Sequence, residues 1–166
     1  MRLVIQRVKQ ATVRILDETV GEIGPGLLLF LGVGEGDTEE DVGYLVEKVR
    51  HLRVFADDQG RFNLSVTDVC GALLIVSQFT LWGDCRKGRR PSFSHSAQPR
   101  KAEPLYDLFI QKARAAGLTV ASGRFQEMME VSLINDGPVT LLLDSRKNFN
   151  RKYRTSNIER PTSNIE

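Results

Sequence analysis

Leu27-Leu28-Leu29-Phe30-Leu31-Gly32-Val33 and, further on, Ala72-Leu73-Leu74-Ile75-Val76-Ser77-Gln78-Phe79 decide the fold. Neither stretch alternates polar with apolar residues, so each reads as a strand covered on both faces. Between them Val42, Leu45, Val46, Val49 and Leu52 recur at helical spacing. They follow Asp37-Thr38-Glu39-Glu40, an Asp or Thr cap with acids in the first turn. After the second stretch, Leu105, Leu108, Phe109, Lys112, Ala113 and Ala116 line one face of a second helix. Pro104 falls in its first turn, where a missing N–H costs nothing, and Gly117 ends it.

Working outward, residues 2–8 and 11–16 both alternate around Lys9-Gln10 and predict an antiparallel hairpin. Val20 to Ile23, Arg53 to Phe55 and Phe62 to Leu64 read as short strands, with turns at Gly24-Pro25-Gly26 and Asp57-Asp58-Gln59-Gly60. Leu118 to Ala121, Met129 to Ile134 and Val139 to Leu143 read as three closing strands. The turn signal Asn135-Asp136-Gly137-Pro138 separates the last two. The order is β-rich with two helices, an α+β fold. Residues 1–145 form one domain. Residues 146–166 form a basic, polar tail in which Thr155-Ser156-Asn157-Ile158-Glu159 recurs at 162–166, and the expectation there is disorder.

With 41% hydrophobic and 27% charged residues the chain has the makings of a packed core. No apolar run approaches the ~20 residues of a membrane-spanning helix, and the start lacks the apolar stretch of a signal peptide, so a cytoplasmic location is expected. Cys70 and Cys85 read as two free thiols, and the two histidines, His51 and His95, are too few for a multi-histidine metal site. The net charge of +2 conceals an asymmetry. Arg86, Lys87, Arg89, Arg90, Arg100 and Lys101 form one run without an acid, and Arg146, Lys147, Arg151, Lys152 and Arg154 form another. The remainder of the chain is acidic. Two basic patches on an acidic body point to a localised polyanion contact, since clustered cations drive phosphate binding.

Two motifs stand where apolar runs stop. In Ser77-Gln78-Phe79-Thr80-Leu81 the residues themselves leave three readings open. Thr80 is a nucleophile activated by a base, the hydroxyls only pair with backbone, or the Phe79 and Thr80 amides hold a developing oxyanion. In Asn135-Asp136-Gly137-Pro138-Val139-Thr140 the pair Gly137-Pro138 reads first as a turn.

Together, in this order, the two motifs resemble the paired signature of D-aminoacyl-tRNA deacylases, and the resemblance runs over residues 1 to about 144. It implies barrel-like mixed sheets with two helices, a homodimer with active sites at the interface, no cofactor and no metal. It also implies hydrolysis of the ester that joins a D-amino acid to tRNA. Ser77, Gln78, Phe79 and Thr80 are implied as the catalytic turn, with the substrate's own ribose hydroxyl carrying much of the chemistry. Gly137 and Pro138 are implied as a cis pair that enters the partner's pocket and rejects L-amino acids by rigid main-chain oxygens. A filter of that kind leaves glycyl-tRNA as a partial substrate.

Arg7 is implied to hold the Gly-Pro loop, with Asn135, Val139 and Thr140 in support, and Phe125 to lie near the terminal adenosine. After Phe125 this chain has Gln126-Glu127-Met128 where the family usually has Gly-Ala-Asp. Arg86, Lys87, Arg89 and Arg90 sit in a matching loop suited to tRNA phosphates. Two rivals remain. One is a non-catalytic nucleic-acid-binding module. The other is a Thr80-dependent esterase that forms an acyl-enzyme.

Overall fold

The computed structural model describes residues 1–147. The expectations for Phe149, Arg151, Lys152, Tyr153, Arg154 and the duplicated segment lie outside the described residues. Along the chain run β1 (Arg2–Ile15), β2 (Glu18–Ile23), β3 (Gly26–Gly32), α1 (Glu39–His51), β4 (Phe55–Ala56), β5 (Phe62–Leu64), β6 (Ala72–Ser77), α2 (Pro99–Ala115), β7 (Thr119–Ser122) and β8 (Glu130–Asp144). A 3-10 turn, Phe79–Trp82, follows β6.

The two apolar runs, β3 and β6, lie side by side and parallel at the centre of a six-stranded mixed sheet, and β7 adds parallel to β6. The chain segments that hold α1 and α2 make the crossovers that parallel neighbours require. Alternate residues of the central strands feed two separate cores. Leu27, Leu29, Leu31, Leu73 and Ile75 pack with Val42, Leu45 and Val49 of α1 and with Leu105, Phe109 and Ala113 of α2. Leu28, Leu74 and Val76 pack with Val8, Ala11, Val13 and Ile23. Burying such side chains stabilises by roughly 1.5–3 kcal/mol each, which is why neither run carries a polar alternation.

β1 corrects the hairpin predicted around Lys9-Gln10. It is one strand, and its two halves contribute to different cores: Leu3 and Ile5 to the first, Val8, Ala11 and Val13 to the second. Lys9-Gln10 lacks a residue suited to φ > 0, so nothing there reverses the chain. Instead the register slips next to Val8. β3 and β2 pair in turn with the two halves of β1, and β8 pairs antiparallel along the whole of it. At Gly21 of β2 a Cβ would lie 2.7 Å from the carbonyl oxygen of Ser122 in β7. The sheet therefore curls until it nearly closes as a barrel, with both helices outside.

α2 begins at Pro99, not at Pro104, which lies inside the helix. The bond that Pro104 cannot make belongs to the carbonyl of Arg100, and both residues are exposed, so water replaces it. α1 is capped by Thr38, whose N–H donates to the Asp41 carboxylate at 2.8 Å. Asp37 is not the cap but a buried anchor. Its carboxylate accepts from the Gly34 N–H at 2.6 Å and pairs with the Met1 ammonium at 2.7 Å and with Arg146 at 2.8 Å. Burial lowers the pKa of that ammonium, against the opposing pull of Asp37.

Candidate active site

β6 ends at Ser77 and the chain turns at once into Phe79–Trp82. The turn is fixed from below. The Gln78 N–H donates to the Leu31 carbonyl at 2.8 Å, and the Trp82 indole donates to the Gly32 carbonyl at 3.0 Å. Arg2 donates to the Leu81 carbonyl at 2.8 Å and lies 4.0 Å from the Trp82 ring centroid, with the Arg146 guanidinium 4.8 Å from the same centroid. Helical geometry leaves the first N–H groups of a turn, here those of Phe79 and Thr80, without an internal partner. The Gln78 side-chain amide donates to the Thr80 hydroxyl. Among the described residues no histidine, lysine or carboxylate bonds to Ser77 or Thr80, so neither has a positioned base.

Above the turn opens a cleft of about 620 Å³, within the size of small-molecule sites. Ser77, Gln78 and Phe79 form one wall, Phe93, Ser96–Pro99 and Ala102 another, and Phe125–Met129 with Val131 a third. Phe79 is 56% exposed and meets Phe93 edge-on at 5.1 Å. Phe125 packs against Tyr106, whose buried hydroxyl donates to the Ile75 carbonyl at 2.9 Å. Burial pushes the Tyr106 hydroxyl far above its ordinary pKa, so it stays a neutral donor.

The loop between the turn and α2 is braced at both ends. Asp84 and Ser92 exchange backbone bonds of 2.7 and 3.0 Å, and Ala97 donates to the Val33 carbonyl at 3.0 Å. Its tip exposes Lys87, Arg89 and Arg90 around Gly88, which has φ +68°. Arg86 differs from these three. It grips Asp84 at 2.8 and 2.6 Å, and those bonds hold the Asp84 carboxyl well below the usual carboxylate range. Its charge is neutralised within the loop, an arrangement that counting basic residues from Arg86 onward missed.

The second motif is elsewhere. Gly137 and Pro138 do not line this cleft. They do not form a hairpin either, which corrects the two strands predicted on either side: β8 runs through from Glu130 to Asp144 and both arms pair with β1. Val8 pairs with Asn135 and Gln6 with Thr140, so residues 136–139 bulge out opposite Arg7 alone. The Gly137-Pro138 bond is cis and Gly137 has φ +123°. A Cβ there would sit 2.7 Å from Arg7 Nη2 and 3.0 Å from Val139 Cγ2, so only glycine fits.

Four of the residues singled out from sequence converge on this bulge. Arg7, 9% exposed, donates to the carbonyls of Asp136 (3.2 Å) and Val54 and pairs with the Asp136 carboxylate at 3.2 Å. Asn135 donates to the carbonyls of Arg7 and Val139, both at 2.9 Å, and Thr140 accepts from Gln6 at 3.1 Å. Val139 is buried while Gly137 and Pro138 are exposed. Phe62, 5.2 Å from the Arg7 guanidinium, completes the brace from β5, and no sequence signal distinguished it.

A mixed near-barrel with an apolar cleft at the end of its central parallel strand, and a main-chain bulge held by Arg7 and Asn135 on an outer strand, defines the class of protein. The family model described as D-Tyr-tRNA(Tyr) deacylase matches residues 4–144, and the chain belongs to that family. It is 58% identical over 149 residues to a D-aminoacyl-tRNA deacylase of Halothermothrix orenii, covering 90% of this chain and all of that one. A D-aminoacyl-tRNA deacylase of Dehalococcoides mccartyi is 57% identical over 150 residues, covering 90% and 98%. A solved structure described as c-Myc DNA Unwinding Element Binding Protein superposes with a TM-score of 0.82 at 36% identity, covering 87% of this chain and 98% of that one.

Proposed function

We propose that this protein is a cytoplasmic homodimer that hydrolyses D-aminoacyl-tRNA to tRNA and the free D-amino acid. The observation that carries the reading is the Gly137-Pro138 bulge. It is held by Arg7 and Asn135, exposed and glycine-requiring, yet it lies outside the chain's own cleft. A second copy paired along β8, an outer strand with Ile134 and Leu142 exposed, brings each bulge to the other's cleft.

In such a site the aminoacyl ester lies between the Phe79–Thr80 amides and the partner's bulge. Water adds to the ester carbonyl, the amides hold the oxyanion, and the C–O bond to the terminal ribose breaks. The adjacent ribose hydroxyl relays the proton to the departing oxygen, so no protein base is required. The bulge carbonyls occupy the direction an L side chain would take, so selection works by exclusion. Glycyl-tRNA, with nothing to exclude, is a partial substrate. Phosphates of the acceptor end meet Lys87, Arg89 and Arg90, contacts that position without reading sequence.

The test is hydrolysis of matched D- and L-tyrosyl-tRNA with a chelator present. Loss of the D ester with survival of the L ester supports the reading, and equal rates contradict the exclusion filter. A second reading, a nucleic-acid-binding module without catalysis, draws on the basic loop and on the 36% identity to a protein described as binding a DNA unwinding element. It predicts that tRNA binds and neither ester is lost.

A further inference from the structure

Charge is sorted across the candidate site. The cations Lys87, Arg89 and Arg90 stand on the exposed tip of the loop, outside the cleft. Among the residues that line the cleft, one is ionisable, and it is acidic: Glu127. It stands on the turn between β7 and β8, where Gln126 adopts φ +60° and the Glu127 N–H closes back toward the Arg124 carbonyl at 3.5 Å. The nearest basic residue in sequence, Arg124, is committed to Glu18 at 2.6 Å. Among the described residues Glu127 has no ion-pair partner, whereas Asp37 has two and Asp84, Asp136 and Asp144 have one each.

A cleft with cations beyond its lining and one unpaired carboxylate, exposed on its wall, suits a ligand that is anionic at one end and cationic at the other. The end of an aminoacyl-tRNA has that polarity: phosphates on the nucleotide side, and an α-ammonium on the amino acid at neutral pH and below. We propose that Glu127 is a specificity residue that pairs with the α-ammonium of the bound aminoacyl group. This rests on the deacylase reading and adds to it a requirement for a free α-amino group. The pair attracts substrate without acting on the ester, so it affects KM rather than kcat.

The test compares wild-type protein with Glu127→Gln on two substrates, D-tyrosyl-tRNA and N-acetyl-D-tyrosyl-tRNA, which lacks the cation. The expected result is a rise of about two- to fivefold in KM of the variant for D-tyrosyl-tRNA with kcat unchanged, the size of one exposed ion pair. With the acetylated substrate, variant and wild type should be equal. A similar loss on both substrates would assign Glu127 to the adenosine or to cleft shape and overturn the proposal. No change on either would do the same while leaving the deacylase reading intact. If the wild type hydrolyses neither ester, both fail together.

Discussion

The turn after β6 and the bulge in β8 are opposite solutions to presenting backbone. The turn ends a strand buried on both faces and is held by the protein's interior: Gln78 to Leu31, Trp82 to Gly32, Arg2 to Leu81. Above it lies a cleft open to solvent. The bulge belongs to a strand paired along β1 only, is held by polar side chains, Arg7 and Asn135, and lies outside the lining of that cleft. On the proposed function, one region is a receptor with no filter and the other a filter with no receptor. The difference teaches that, on the proposed function, each chain carries two complementary halves of a site that only a second copy completes.

The largest effect is expected at the bulge. Gly137→Ala puts a Cβ against Arg7 and Val139 at a φ that alanine resists. It should lower hydrolysis of D-tyrosyl-tRNA about 100-fold, the scale of an ångström of misplacement, while the helical circular dichroism signal persists. Arg7→Ala should follow, with about a tenfold loss in kcat/KM and relaxed rejection of the L ester. It should also lower unfolding free energy by about 2 kcal/mol, less than for a fully buried pair because Asp136 is partly exposed.

On the receptor side, Arg89→Ala should weaken tRNA binding several-fold, by filter binding at low salt, whereas Arg86→Ala should do so less because Asp84 already neutralises it. Thr80→Val should change kcat least, by no more than about threefold, and leave no acyl adduct by mass spectrometry, since no base is placed to activate the hydroxyl. A large loss at Thr80 with small losses at Gly137 and Arg7 would reverse the comparison and favour a covalent esterase.

The receptor's framework was legible because it depends on hydrophobic pattern. The unbroken runs of β3 and β6 predicted strands covered on both faces, and those strands supply the two cores. The filter was harder to read, because a turn signal describes local preference and not what the chain pairs with next. Asn135-Asp136-Gly137-Pro138 has hairpin composition, yet β1 is long enough to pair with both arms, so the same residues become a bulge. The Lys9-Gln10 break misled for the related reason that a change of buried face within a strand looks like its end. Arg7 was implied only by resemblance, since its carbonyl partners, Val54 and Asp136, are distant in sequence. Phe93, Phe62 and Tyr106 became evident only once packing was known, and Glu127 only once the cleft's other lining residues proved uncharged.

Mixing two damaged subunits tests most directly whether the halves meet across a dimer. Gly137→Ala spoils the bulge, and Ala102→Phe fills the cleft, which Ala102 lines. Each variant alone should be nearly inactive on D-tyrosyl-tRNA. Refolded together in equal amounts, about half of the dimers should be mixed, and in each of these one cleft meets one intact bulge. Activity should then return to about a quarter of the wild-type value. No recovery, with mixed dimers verified by native mass spectrometry, would place both halves within one subunit and contradict the account.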